Sequence, residues 1–183
     1  MQNLYPEGFV FVNALYGLTW CELAINYDVD SSTKEKAYEE ALFAYNQINS
    51  ETGKSIFDKN LHLPYGAFYR GWKNYLLGKI ISFHSVSKAD SLEFVNSCEA
   101  IGSAITESAS PYVESYKLAS WPADMFPCLA SLKMHDDLFA HHYDTTRQQW
   151  IENVKNHLDK STGLIPQSTN QLTGQTMQGA RGS

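Results

Sequence analysis

Hydrophobic and polar positions alternate between two helical kinds along this chain. From Phe9 to Tyr27 the residues are apolar nearly all round, and no charge appears before Glu22. Such a pattern predicts a helix enclosed on most of its sides. From Thr33 to Ser50 the pattern is one-faced, with Ala37, Ala41, Ala44, Tyr45 and Ile48 opposite Lys34, Lys36, Glu39 and Glu40. The same succession returns twice. Residues 66–83 carry Phe68, Tyr69, Trp72, Tyr75, Leu76, Ile80 and Phe83, and the next stripe is Phe94, Cys98, Ile101 and Ile105. A fifth helix follows Asp124 with Met125, Leu129, Leu132 and Leu138, and a sixth shows Trp150, Ile151, Val154 and Leu158.

Each apolar helix follows a proline. Pro6, Pro64 and Pro122 are evenly spaced, about 58 residues apart. Each one-faced helix is expected to open on a capping box, at Ser32…Glu35, Asp90…Glu93 and Thr146…Gln149. The fold class read from this is all-α: antiparallel helical hairpins, about three of them, with the apolar helices inside and the one-faced helices on the solvent side. Residues 1–160 form that array. Residues 161–183 are a tail rich in Gln, Thr, Gly and Ser, with too little apolar surface to order itself or else the start of a further repeat. The abrupt stop at Ser183 suggests a piece of a longer protein.

Composition narrows the function classes. A formal charge of −6 and the lack of any basic cluster argue against nucleic acid. Asn13, Glu22 and Asn26 interrupt the first apolar run and no cationic segment precedes it, so neither a membrane span nor a signal peptide is expected, and the compartment stays unassigned. Cys21, Cys98 and Cys128 are odd in number and far apart, which reads as buried thiols rather than a disulfide framework. His135 and His142 would lie about 10.5 Å apart along a continuous helix, too far to share one ion, while Asp137 and His141 are spaced to pair. No metal and no cofactor is therefore expected.

Candidate chemistry gathers at the proline loops. Glu7 and Asp124 follow their prolines at comparable points of the repeat, at helix N-termini where carboxylates are favoured. If both projected into one cleft they would suit acid/base work on a glycosidic or similar bond, although either could simply cap its helix. Tyr5, Tyr65, Phe68, Tyr69, Trp72 and Trp121 make an aromatic set suited to a sugar ring or an apolar chain, with Trp72 the one best placed for the core. Arg70 and Arg181 could orient a carboxylate or hydroxyl.

The segments Trp121-Pro122-Ala123-Asp124, Thr162-Gly163-Leu164-Ile165-Pro166 and Gly179-Ala180-Arg181-Gly182-Ser183 resemble the α/α-toroid superfamily, called six-hairpin glycosidase-like. Within it the resemblance is closest to proteins with a linalool dehydratase/isomerase-like catalytic domain. That resemblance implies a central cleft, a glycan or small-molecule substrate, Trp121 and Asp124 as cleft residues and Arg181 as a third contact. A full toroid has about six hairpins, so three would leave apolar edges open to self-association. The rival expectation is a non-catalytic helical-repeat module that binds a partner.

Overall fold

The computed structural model describes residues 5–181; Leu4 of the first proline segment and Gly182-Ser183 of the last motif lie outside them. The chain is all-α except for one small ribbon. Helices α1 (Gly8–Asn26), α2 (Ser31–Asn49) and the single turn α3 (Glu51–Lys54) come first. Next are α4 (Gly66–Phe83), α5 (Lys88–Glu107), a 3-10 turn at Pro122–Asp124, α6 (Met125–Leu138) and α7 (Asp144–Lys155). Strands β1 (Ser168–Thr169) and β2 (Thr176–Gln178) pair antiparallel.

Helix α4 is the hub. It packs against α1 and α6 on two sides and against α2 and α5 on others, while α7 lies on α5 and α6. This explains why α4 needs so many apolar and small positions: Ala67, Phe68, Tyr69, Gly71, Leu76, Leu77, Gly78 and Ile80 are all buried. Gly71 and Gly78 set the spacing. A Cβ on Gly78 would lie 2.7 Å from the Phe94 ring, and one on Gly71 would lie 2.9 Å from Cys128. Two buried ions have partners that reach toward the surface. Lys73 bonds Glu93 at 2.5 Å, and Asp136 accepts the amides of His142 (2.9 Å) and Tyr143 (3.1 Å) beside Arg147.

Several expectations are corrected. The caps lie upstream of the expected boxes. Asp30 accepts the Thr33 amide at 2.7 Å, Ser87 accepts that of Asp90 at 3.1 Å, and α7 begins with no side-chain cap. Helix α1 is not enclosed on most sides, for Val12 is 65% exposed and Leu15 44%. By length and composition alone α1 is apolar enough to cross a membrane, with mean hydropathy 1.4, a property that core helices share. Here its Val10, Ala14, Gly17, Leu18, Cys21 and Ala24 face is buried.

The tail does order. Gln167 donates its N–H to the Gln178 carbonyl, and Thr169 donates to that of Ser120, both at 3.0 Å. Asp159 accepts the amide of Ala180 at 3.1 Å. Hydrogen bonds thus cross the division between residues 160 and 161, because backbone pairing supplies what apolar burial does not. Helix α6 ends at Leu138, so the chain turns back and the His135 and His142 rings lie 6.5 Å apart. Asp137 pairs with Lys133 and His141 with Asp144, rather than with each other.

Candidate functional site

The site is built where two loops touch. Ahead of α4, Tyr65 and Gly66 both adopt left-handed backbone, with φ of 72° and 79°. Glycine is required at the second, since a Cβ there would lie 2.1 Å from the Ser115 carbonyl oxygen. Ala67 N–H donates to the Glu114 carbonyl at 2.8 Å, which clamps residues 114–116 onto the start of α4. A tight turn follows, closed by Ala119 N–H to the Tyr116 carbonyl at 2.9 Å. The buried Ser115 hydroxyl accepts the Trp121 amide at 3.2 Å, and the 3-10 turn then delivers Asp124 to the first residues of α6.

Tyr116 sits at the centre of this arrangement. Its ring stacks on Phe57 (5.7 Å) and Phe68 (6.0 Å) and meets the Trp121 ring edge-on at 5.2 Å. Its hydroxyl is held above the usual phenol range, by burial first and then by the negative fields of Asp124 and Glu7. The two carboxylates chosen from sequence thus lie near enough for their charges to bear on one hydroxyl. Neither makes a side-chain cap bond to its helix, although each stands at an N-terminus. Burial pushes the Asp124 carboxyl up to about 6, with the Ser115 hydroxyl pulling the other way. A carboxyl poised near neutrality can give or take a proton.

The remaining candidates divide. Trp121 lies in the Tyr116 cluster and also lines an open cleft of about 600 Å³ with Ala123, Phe126, Ile165, Pro166, Gln167 and Arg181. Tyr65 is half-buried, 5.3 Å from the Tyr69 ring. Tyr69 itself is 1% exposed and donates its hydroxyl to the Ile48 carbonyl at 3.3 Å, so its contacts are internal. Arg70 is likewise engaged, donating to the Pro64 carbonyl at 3.0 Å and to Ser97 at 3.4 Å. Of the aromatic set chosen from sequence, Tyr65, Tyr69 and Trp121 are joined into one chain by two residues not chosen, Phe57 and Tyr116. The charges of Glu7 and Asp124 bear on its Tyr116 member. Arg181 stands at the rim of the neighbouring cleft.

Tyr116 and Ser115 escape a sequence reading because they lie in an aperiodic loop. The available signal was a loop aromatic shortly before Pro122, comparable in place to Phe57 before Pro64.

Elsewhere the three cysteines are free and buried, and burial pushes the Cys21 and Cys98 thiols up to about 12, far from reactive thiolates. Asp136, His141 and Asp144 bring ligand atoms within 4.8 Å of one another. The Arg147 guanidinium already bonds both aspartates and supplies the positive charge there. Compared with known proteins, the chain matches no family model, no curated protein and no solved structure.

Proposed function

We propose that the chain forms part of a cleft enzyme that acts on a carbohydrate-like or other small hydroxylated substrate by carboxylate acid/base chemistry. Asp124 is the general acid, Glu7 its partner carboxylate, and Tyr116 the hydroxyl that links them. Trp121 and Tyr65 form the aromatic platform. The observation that supports this reading is the pair of uncapped helix-terminal carboxylates whose charges both bear on the half-buried Tyr116 phenol. A protonated Asp124 would deliver its proton to a leaving oxygen, and its carboxyl near 6 keeps that proton available in mildly acidic solution. The same reading takes α1/α2, α4/α5 and α6/α7 as three hairpins of an α/α toroid of the six-hairpin glycosidase-like kind. The place of α4 between α1 and α6 supports it.

The test is turnover of aryl glycosides and of allylic and benzylic alcohols, screened side by side. The activity found should fall about 10²–10⁴-fold in Asp124→Asn. It should also decline as pH rises through about 6, where the acid loses its proton. Turnover that survives the substitution overturns the assignment.

A second reading has its own support. The open face of α1, with Phe11, Val12, Leu15 and Tyr16 all exposed, favours a helical-repeat module that binds a partner or a second copy. In that case Asp124→Asn changes stability alone, and Leu15→Ser abolishes association.

A further inference from the structure

The cleft beside Trp121 is built differently from the carboxylate centre. Trp121, Phe126, Ile165 and Pro166 give it apolar walls, and Asp124 is not among its lining residues. Phe126 is 50% exposed despite resting its ring against Trp150 at 6.1 Å, so a large aromatic surface faces the opening. The volume of about 600 Å³ lies within the range of small-molecule sites.

Two polar side chains line it, and both lack partners among the described residues. Gln167 is mounted on the ribbon, its backbone fixed by the 3.0 Å bond to Gln178, yet its side-chain Oε1 is buried with no hydrogen-bond partner. A buried acceptor left unpaired is costly, which favours reorientation of the side chain when a ligand offers it a partner. Arg181 stands exposed at the rim and forms no ion pair among the described residues. One cation thus stands at the mouth of an apolar cleft in a chain of net charge −6.

We propose that this cleft binds a small monocarboxylate with a flat apolar body. The body lies along the Trp121 and Phe126 rings. The carboxylate takes the Arg181 fork in two parallel hydrogen bonds, the geometry a guanidinium offers best. The Gln167 side chain, which no hydrogen bond among the described residues fixes, can change rotamer to offer its amide N–H to the same carboxylate. Charge matching selects this class. One guanidinium balances one negative charge, a phosphate dianion would be left in excess, and a sugar would need more polar partners than two. The proposal does not rest on the acid/base reading, because none of its contacts involves Glu7, Asp124 or Tyr116.

The experiment is calorimetric titration of the full chain with phenylacetate, with 2-phenylethanol (same body, no charge) and acetate (charge, no body) as comparators. Phenylacetate should bind saturably, with 2-phenylethanol at least about tenfold weaker and acetate undetectable. Arg181→Gln should weaken phenylacetate about tenfold while leaving the thermal midpoint in place, since the side chain is exposed. Gln167→Leu should weaken it as well. Equal binding of the acid and the alcohol would overturn the proposal, as would unchanged affinity in Arg181→Gln or no binding of phenylacetate at millimolar concentration. The readout is binding and not turnover, so a failure here is distinct from a failure of the acid/base assignment.

Discussion

Helices α1 and α4 read alike in sequence, both apolar and aromatic behind a proline, and the structure treats them differently. On α4 no large apolar residue is exposed, and Leu76 and Ile80 are fully buried. On α1 only the side facing α2 and α4 is covered, and it is lined by small residues. A Cβ on Gly17 would lie 2.8 Å from Leu76, so the two helices approach closely and the larger side chains of α1 are displaced outward. Val12, Leu15 and Tyr16 point away from the core as a result. An apolar pattern thus reports how many neighbours a helix can accept, while the number of neighbours present decides its burial.

That contrast can be broken by substitution. The largest effect is expected for Leu76→Ala, a cavity at the hub that should cost about 2–5 kcal/mol in urea unfolding. An equal cost for Leu15→Ala would erase the distinction between the two helices.

A smaller and oppositely signed effect is expected at Asp124. Its folded carboxyl is raised to about 6 from an ordinary 3.8, so the folded state holds more protons than the unfolded one between those values. Its contribution is therefore fully present below pH about 4 and is lost as pH rises through about 6. The neutral Asp124→Asn removes that loss. It should be more stable than wild type by on the order of 2 kcal/mol at pH 8, with little difference at pH 3.5. A variant less stable at pH 8 would mean that the charged carboxylate has a partner in the fold.

The smallest effect is at the open edge. Leu15→Ser should shift stability by no more than about 0.5 kcal/mol, as measured by denaturant midpoint. A loss of several times that amount in dilute protein would show that the α1 face is covered in solution.

The bounds of α4 were legible because Pro64 and the following glycine mark its start and the apolar period carries it to Phe83. The starts of α2, α5 and α7 were misplaced for a common reason. The expected pattern asked for Glu or Gln three residues after the cap, whereas the caps formed at Asp30 and Ser87 are followed at that distance by Thr33 and Asp90, and α7 has none. Glu35 is occupied with His84 at 3.2 Å and Glu93 with Lys73 at 2.5 Å, so neither folds back on its helix. In the site, Glu7 and Asp124 could be picked out by their place after a proline, and Trp121 by its place just before one. Tyr116 could not, because what positions its loop is the contact of the Ser115 carbonyl with Gly66, 49 positions away, and no local pattern carries that information. Composition also hid the tail, whose order comes from main-chain pairing with Ser120.

The loop that carries Tyr116 is held from two directions. Ala67 grips it at Glu114 from upstream, and Thr169 grips it at Ser120 from downstream. During synthesis the helices can pair as they emerge, since many of their contacts lie between successive elements. The turn bearing Trp121 and Asp124 has to wait until residue 169 has left the ribosome, because these long-range contacts carry the higher loop-closure cost. A nick in the exposed segment Ser161–Leu164 would leave every helix in place and cut the covalent link to the downstream grip. The loop of Tyr116, Trp121 and Asp124 is thus the part of the fold that depends most on residues far along the chain.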